Sequence, residues 1–210
     1  SPKDRICNGR RTWGKGGQLL HCHVKTWGAI HQKSVKSTSV NSALYVLYNV
    51  LGKRRGEVNA MEKLIITACI CGAEVTKEHN PAVPYTVEEI AKEAKSAYDA
   101  GASIIHLHVR EDDGTPTQSK ERFEACINAI KEVCPDVIIQ PSTGGAVGMS
   151  NEERLAPTTL RPEMATLDCG TCNFGGDEIF VNTENMIIDF ANTMNEYGIK
   201  PEIEVFDKGM

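Results

Sequence analysis

The chain has no stretch approaching the roughly 18 consecutive apolar residues that cross a bilayer; its longest early run, Ala43 to Leu51, is broken by Tyr48 and Asn49. A transmembrane helix is therefore excluded. A secretory signal is missing as well, because residues 1–36 are polar, basic and dotted with glycine rather than apolar. The expected location is the cytoplasm. Cysteine is too sparse for a disulfide scaffold, with 8 in 210 residues, several of them inside apolar segments, so reduced thiols are expected.

Acidic side chains are scarce in one place only. Residues 1–60 hold 11 basic and 2 acidic residues, Asp4 and Glu57, whereas residues 61–210 hold 12 basic and 26 acidic ones. The net charge of −5 is thus +9 joined to −14. The first sixty residues also lack helical or strand periodicity of useful length. Three readings compete for this segment. A basic arm would neutralise phosphates, and His21-Cys22-His23 with His31 suggests a metal cluster, although zinc sites need four ligands in recognisable pairs and Cys7 is distant. The third and favoured reading is a leader translated in frame ahead of Met61, with Gly56-Glu57-Val58 encoded by a purine-rich ribosome-binding sequence.

From Lys63 onward strands and helices alternate. Leu64–Ile70 is a continuous apolar run, as in a strand buried on both faces. Thr86-Val87-Glu88-Glu89 is a capping box, followed by Ile90, Ala91, Ala94, Ala97 and Tyr98 at helical spacing and a stop at Gly101. The sequence then predicts a strand over Ser103–Val109, a helix from Ser119 to Val133, strands over Val137–Gln140 and Met164–Leu167, a helix over Met186–Tyr197 and a strand over Glu202–Phe206. Such alternation predicts parallel strands with right-handed crossovers. The segment lacks the glycine pattern of a dinucleotide-binding turn, because Cys71-Gly72-Ala73-Glu74 does not supply it. A repeat of 34.5 residues per unit over four units leads to an α/β fold of the TIM (β/α)8 type, represented by about its first four to five strands, in residues 61–210.

Alternation along a strand puts His106 and His108 on one face at the C-terminal end, where such barrels carry their active sites. Two neutral imidazoles at that spacing chelate a divalent ion, and the bland alternative is a pair of satisfied buried histidines. Pro141-Ser142-Thr143-Gly144-Gly145 falls on the same rim as an anion-binding loop or a plain tight turn. Thr166 and Asp168 end the fourth strand, Glu74 follows the first and Glu204 lies in the fifth; each carboxylate could serve a substrate, a metal or a surface cation. Cys169-Gly170-Thr171-Cys172 has redox spacing without the helix start that a thioredoxin-like unit needs.

Taken together, Ile105-His106-Leu107-His108-Val109-Arg110-Glu111-Asp112-Asp113-Gly114, Gln140-Pro141-Ser142-Thr143-Gly144-Gly145, Arg161-Pro162-Glu163-Met164-Ala165-Thr166-Leu167, Asn173-Phe174-Gly175 and Pro201-Glu202-Ile203-Glu204-Val205 resemble the β-keto acid cleavage enzymes. The resemblance runs from Met61 to the last residue. It implies a zinc-dependent barrel, usually a homotetramer, that condenses a 3-keto acid such as 3-keto-5-aminohexanoate with acetyl-CoA to give acetoacetate and a new acyl-CoA. By the same resemblance His106 and His108 are metal ligands. Ser142, Gly144, Gly145 and Thr166 surround the substrate carboxylate, Glu74 faces a substrate amine, and Glu204 is a further active-site acid. Asp168 stands where the family usually has Asn. A third metal ligand, a Glu in a later strand, and a neighbouring Arg and Asp would fall past Met210, so the chain alone is expected to be inactive. No nucleic acid or membrane partner is implied. The alternatives are a zinc-dependent aldolase or lyase on the same barrel, and a non-enzymatic protein that binds through its basic arm.

Overall fold

The computed structural model describes residues 43–47 and 64–208. The basic leader readings, including the His21, Cys22, His23 and His31 cluster, lie outside the described residues. Within residues 1–60 one element is seen where the sequence predicts none. Strand β1, Ala43–Leu47, pairs antiparallel with β2, Ile65–Cys69, with Ala43 opposite Cys69 and Leu47 opposite Ile65. Five consecutive apolar residues were long enough to pair with the edge of β2, although too short to display a period.

The parallel strands follow chain order. β2 pairs with β3, Ile104–Leu107, which pairs with β6, Ile138–Pro141. Further along, β7, Met164–Asp168, pairs with β10, Lys200–Glu204. β6 and β7 are joined by side-chain rather than ladder bonds: the Thr143 N–H donates to Thr166 Oγ1 at 3.0 Å, and the Thr143 hydroxyl donates to the Thr166 carbonyl at 2.6 Å. Helices cover one face of these strands. Helix α1, Val87–Asp99, is capped by Thr86 and Glu89 in the expected box, and α2, Lys120–Val133, is capped by Ser119.

Alternation within each strand divides apolar from polar residues. Ala68, Ile105, Leu107 and Ile139 point at the helices and form one core with Ile90 and Ala94 of α1 and Phe123, Cys126 and Ile130 of α2. A second core joins Ala165 and Leu167 of β7 to Phe190 and Met194 of α4, Glu184–Tyr197. By the same period, Thr67, Cys69, His106, Gln140, Thr166, Asp168, Glu202 and Glu204 fall on the opposite face. That face carries the chemistry.

Several boundaries differ from the sequence reading. The strand expected over Ser103–Val109 breaks at His108, because Val109–Arg110 (β4) leaves the parallel ladder to form a hairpin with Pro116–Thr117 (β5). Asn151–Leu155 is an unpredicted helix, α3, capped by Ser150 and Glu153 and continued by a 3-10 helix over Ala156–Leu160. Cys172–Gly175 (β8) and Glu178–Phe180 (β9) form a hairpin that the sequence does not predict. Helix α4 starts two residues early because Thr183 caps it, and β10 is set by the Lys200 N–H, which donates to the Glu163 carbonyl at 3.0 Å. No helix among the described residues is long and apolar enough to cross a membrane.

The capping box of α1 gives a pH prediction. Glu89 accepts from Lys77 Nζ at 2.7 and 2.9 Å, from the Tyr85 N–H at 2.7 Å and from the Thr86 N–H at 3.2 Å, and these bonds hold its carboxyl down at about 2. A carboxyl depressed by folding contributes stability that is complete above its ordinary value of 4.5 and is lost as pH falls through the folded value. The side chain is 42% exposed, so screening leaves about 1 kcal/mol. Glu89→Gln is expected to lower stability by about that amount at neutral pH, and the gap to the unmodified chain should close between about pH 5 and pH 2 in urea denaturation curves.

Candidate active site

Two histidines anchor the polar face. The His106 and His108 rings lie edge to face with centroids 5.1 Å apart, at the point where β3 ends. His106 Nδ1 is bonded to Gln140 Oε1 at 3.0 Å. With an amide oxygen as acceptor, Nδ1 carries the proton and Nε2 keeps its lone pair, the arrangement that orients a metal-binding imidazole. Burial holds both imidazoles below their ordinary range; for His108, burial first and then His106 and Arg110 push the value to about 3. Both rings are therefore neutral near pH 7 and able to donate. This donor chemistry fits two of the ligands of a zinc ion. Among the described residues no group of three or more His, Cys, Asp and Glu side chains could hold a metal, so these residues alone offer two ligands. Burial, then Glu204 and Glu202, push the thiol of Cys69, the ladder partner of His106, far up.

The loop after β6 is built by its own hydrogen bonds. The Ser142 N–H donates to the Leu107 carbonyl at 2.9 Å, the Gly144 N–H donates to Ser142 Oγ at 3.1 Å, and the Thr143 N–H is taken by Thr166. These backbone donors are committed inside the loop rather than presented to an anion. What Ser142 keeps for a ligand is its own hydroxyl proton. Thr166, buried at the base of the loop, acts as acceptor for Thr143 and joins β7 to the loop. Gly144 sits over the end of β7, where an added Cβ would lie 3.2 Å from Ser142 Oγ and 3.5 Å from Asp168 Oδ2. Gly145 has φ +64°, and a Cβ there would come within 2.8 Å of Met149 Sδ and 3.4 Å of Arg154 Cγ.

Arg154 is the residue that sequence reasoning missed. It lies in α3 yet is 3% exposed, between the rings of Phe180 and Phe190 at 4.8 and 5.0 Å. Its Nε donates to the Thr143 carbonyl at 2.8 Å and Nη1 to the Val181 carbonyl at 3.1 Å. Nη2 donates to Asn182 Oδ1 at 2.6 Å and reaches Asp168 Oδ2 at 3.5 Å. Asp168 in turn is the ladder partner of Glu204. The available signal was the capping box Ser150-Asn151-Glu152-Glu153, which would have placed Arg154 on a helix but not its burial.

The predicted residues do not all converge. His106 joins His108; Ser142, Gly144 and Thr166 meet around Thr143; Glu204 joins Asp168; and Gly145 faces Arg154. Glu74 is exposed on the loop after β2 and has no ion-pair partner among the described residues. That loop is fixed instead by Arg110, 1% exposed, which donates to the carbonyls of Gly72, Val75 and Gly114 at 2.8 to 3.1 Å. Cys169 and Cys172 are half-buried free thiols, raised above their ordinary value by burial and by Asp168.

Comparison with known proteins places these features in context. A family model described as beta-keto acid cleavage enzyme matches residues 63–210. The 3-keto-5-aminohexanoate cleavage enzymes of Fusobacterium nucleatum subsp. nucleatum and Acetoanaerobium sticklandii are 83% and 81% identical over 150 residues, covering 71% of this chain and 55% of each relative. The 3-oxoadipate:acetyl-CoA acetyltransferase of Cupriavidus necator is 42% identical over 146 residues, 70% of this chain and 51% of the relative. The chain thus spans about half the length of the curated relatives it matches. Among solved structures, the apo form of ObcA superposes with a TM-score of 0.54 at 22% identity, over 61% of this chain and 31% of that one, which is a likeness of fold.

Gly145→Ala tests the loop. The left-handed backbone and the crowding against Met149 and Arg154 are expected to cost about 1–3 kcal/mol, read from the urea midpoint, whereas Gly148→Ala at φ +89° with no atom within 4 Å should cost only the backbone strain of about 1 kcal/mol.

Proposed function

The chain belongs to the beta-keto acid cleavage enzyme family, and from that premise we propose that residues 61–210 carry the histidine side of a zinc-dependent active site. The reaction proposed is condensation of a 3-keto acid with acetyl-CoA to give acetoacetate and a new acyl-CoA. The observation that carries this reading is the neutral His106 and His108 pair at the end of β3, with Gln140 fixing one ring. Its location in a segment 81–83% identical to 3-keto-5-aminohexanoate cleavage enzymes supports that keto acid over 3-oxoadipate, whose enzyme is 42% identical. The fold belongs to the same proposal: parallel strands whose neighbours follow chain order support a TIM barrel of which β2, β3, β6, β7 and β10 are the first five strands.

Each side chain then has a role set by its surroundings. His106 and His108 would hold Zn²⁺, which when bound supplies a Lewis acid for the 3-keto oxygen. The Ser142 hydroxyl donates to the substrate carboxylate, and Gly144 lets that carboxylate approach, since a side chain there would crowd Ser142 and Asp168. Thr166 and Gly145 keep the loop in place, one through the Thr143 N–H and the other through its left-handed turn. Glu74, exposed at the rim, faces the substrate amine, and Glu204 is the half-buried acid on the far side. Cytoplasmic location and a homotetrameric assembly complete the reading on the sequence resemblance.

The test uses the near identity of a full-length relative. A hybrid in which residues 61–210 replace the equivalent segment of the Fusobacterium nucleatum enzyme is expected to form acetoacetate from 3-keto-5-aminohexanoate and acetyl-CoA. His106→Ala or His108→Ala in the hybrid should reduce the rate at least about 100-fold and lower the bound zinc measured by atomic absorption. The 210-residue chain assayed alone, with two ligands among its described residues, should form none. A hybrid that keeps its rate without both histidines, or that turns over without acetyl-CoA, overturns the reading.

A further inference from the structure

Asp168 and Glu204 face each other across adjacent strands. They are direct ladder partners in the parallel pair of β7 and β10, where the Cys169 N–H also donates to the Glu204 carbonyl at 3.0 Å. Side chains of paired residues on neighbouring strands lie on one face and within reach of each other. Asp168 is buried and Glu204 half-buried. Two carboxylates so placed need either two cations or one shared proton, because a second buried negative charge has no compensation.

Among the described residues one cation reaches this pair. Arg154 approaches Asp168 Oδ2 at 3.5 Å while its shorter bonds go to Thr143, Val181 and Asn182. No ion pair to Glu204 is present among the described residues, and Lys200, on the same face of β10, is four residues away and exposed. The other groups facing the pair are acidic or neutral. Glu202 lies on the same face of β10; the thiols of Cys69 on β2, Cys169 at the end of β7 and Cys172 on β8 all feel these carboxyls. Asp207 adds a further negative charge near Cys172.

We propose that Asp168 and Glu204 form a single proton-holding pair, with the charge assigned to Asp168 and the proton to Glu204 by Arg154, which makes Arg154 a positioning residue for acid–base chemistry at this rim. Burial, Asp168 and Glu202 push the Glu204 carboxyl up to about 8, in line with that assignment. Burial raises Asp168 too, opposed chiefly by Arg154. The Glu204 O–H then donates to the Asp168 carboxylate. Asp168 Oδ2 lies 3.5 Å from where a Cβ on Gly144 would stand, so the Asp168 side of the pair borders the place where the substrate carboxylate is proposed to lie. The location of the substrate rests on the functional reading above, but the shared proton does not.

The test is therefore a titration rather than an assay. In the full chain labelled with ¹³C at the Glu and Asp carboxyls, the resonance that Glu204→Gln removes is expected to titrate near pH 8. Asp168→Asn, nearly isosteric, should lower that midpoint by at least one pH unit, a tenfold change in proton affinity. Arg154→Lys, which keeps the charge but loses the fork of donors, should raise the Asp168 midpoint, a change that a merely structural role would not produce. A Glu204 resonance that titrates in the ordinary carboxylate range in the unmodified chain overturns the proposal. So does one that Asp168→Asn leaves in place. The first of these readouts needs no variant to fold except the one used for assignment. Failure of the hybrid to form acetoacetate, with the titration of the chain intact, would instead count against the functional reading alone.

Discussion

A buried guanidinium must have its donors filled, and the way Arg154 fills them decides the shape of the site. Four acceptors from three parts of the chain converge on it: the Thr143 carbonyl of the loop after β6, Val181 and Asn182 after the β8 and β9 hairpin, and Asp168 at the end of β7. Packing between Phe180 and Phe190 supplies the low-polarity surroundings that strengthen each bond and raise the cost of leaving any one unmade. The charge is weakly compensated, since its one carboxylate partner among the described residues is at 3.5 Å. Burial accordingly lowers the affinity of Arg154 for its proton while Asp168 opposes that effect.

Arg110 solves the same problem without a carboxylate. Its donors go to the carbonyls of Gly72, Val75 and Gly114, and its guanidinium lies 5.3 Å from the Tyr85 ring centroid. The neighbouring Arg122 closes this assembly by donating to the Arg110 carbonyl at 2.7 Å and to the Tyr85 carbonyl at 3.1 Å. Gly114 is required here, because a Cβ at its φ of +91° would overlap the Tyr85 ring at 2.4 Å. One arginine therefore organises the rim near Glu74 and the other the rim near Asp168. The histidine pair lies on strand β3 and its end, which rest on the main core.

What the sequence made legible follows from how local each signal is. The alternation of Ile105, His106, Leu107 and His108 needs only strand geometry, and it correctly brought the two imidazoles together. The capping box at Thr86 and Glu89 is likewise local and formed as expected. Arg154 was illegible because Asn151-Glu152-Glu153-Arg154 has the composition of a solvated helix, and burial there depends on Phe180 and Phe190, 26 and 36 residues away. For residues 142–145 the sequence leaves an anion-binding loop and a plain tight turn both open. It does not reveal that Thr166 and Ser142 take the Thr143 and Gly144 N–H groups. The hairpin over Cys172–Phe180 was missed for a related reason: its strands are three and four residues long, too short for a period to show.

The position of Asp168 joins these threads. A carboxylate at the end of β7 is tolerated because Arg154 stands behind it, and a second carboxylate at Glu204 is tolerated only with a proton. An Asn at position 168 would remove the negative charge and with it the reason for Glu204 to stay protonated, while leaving Arg154 an amide oxygen to bond. The difference between Asp and Asn at this one site therefore changes the protonation of its neighbour more than it changes the packing. The carboxylate that reaches the histidines is a different one: Glu202, on the same face of β10, opposes the burial effect on the His106 ring.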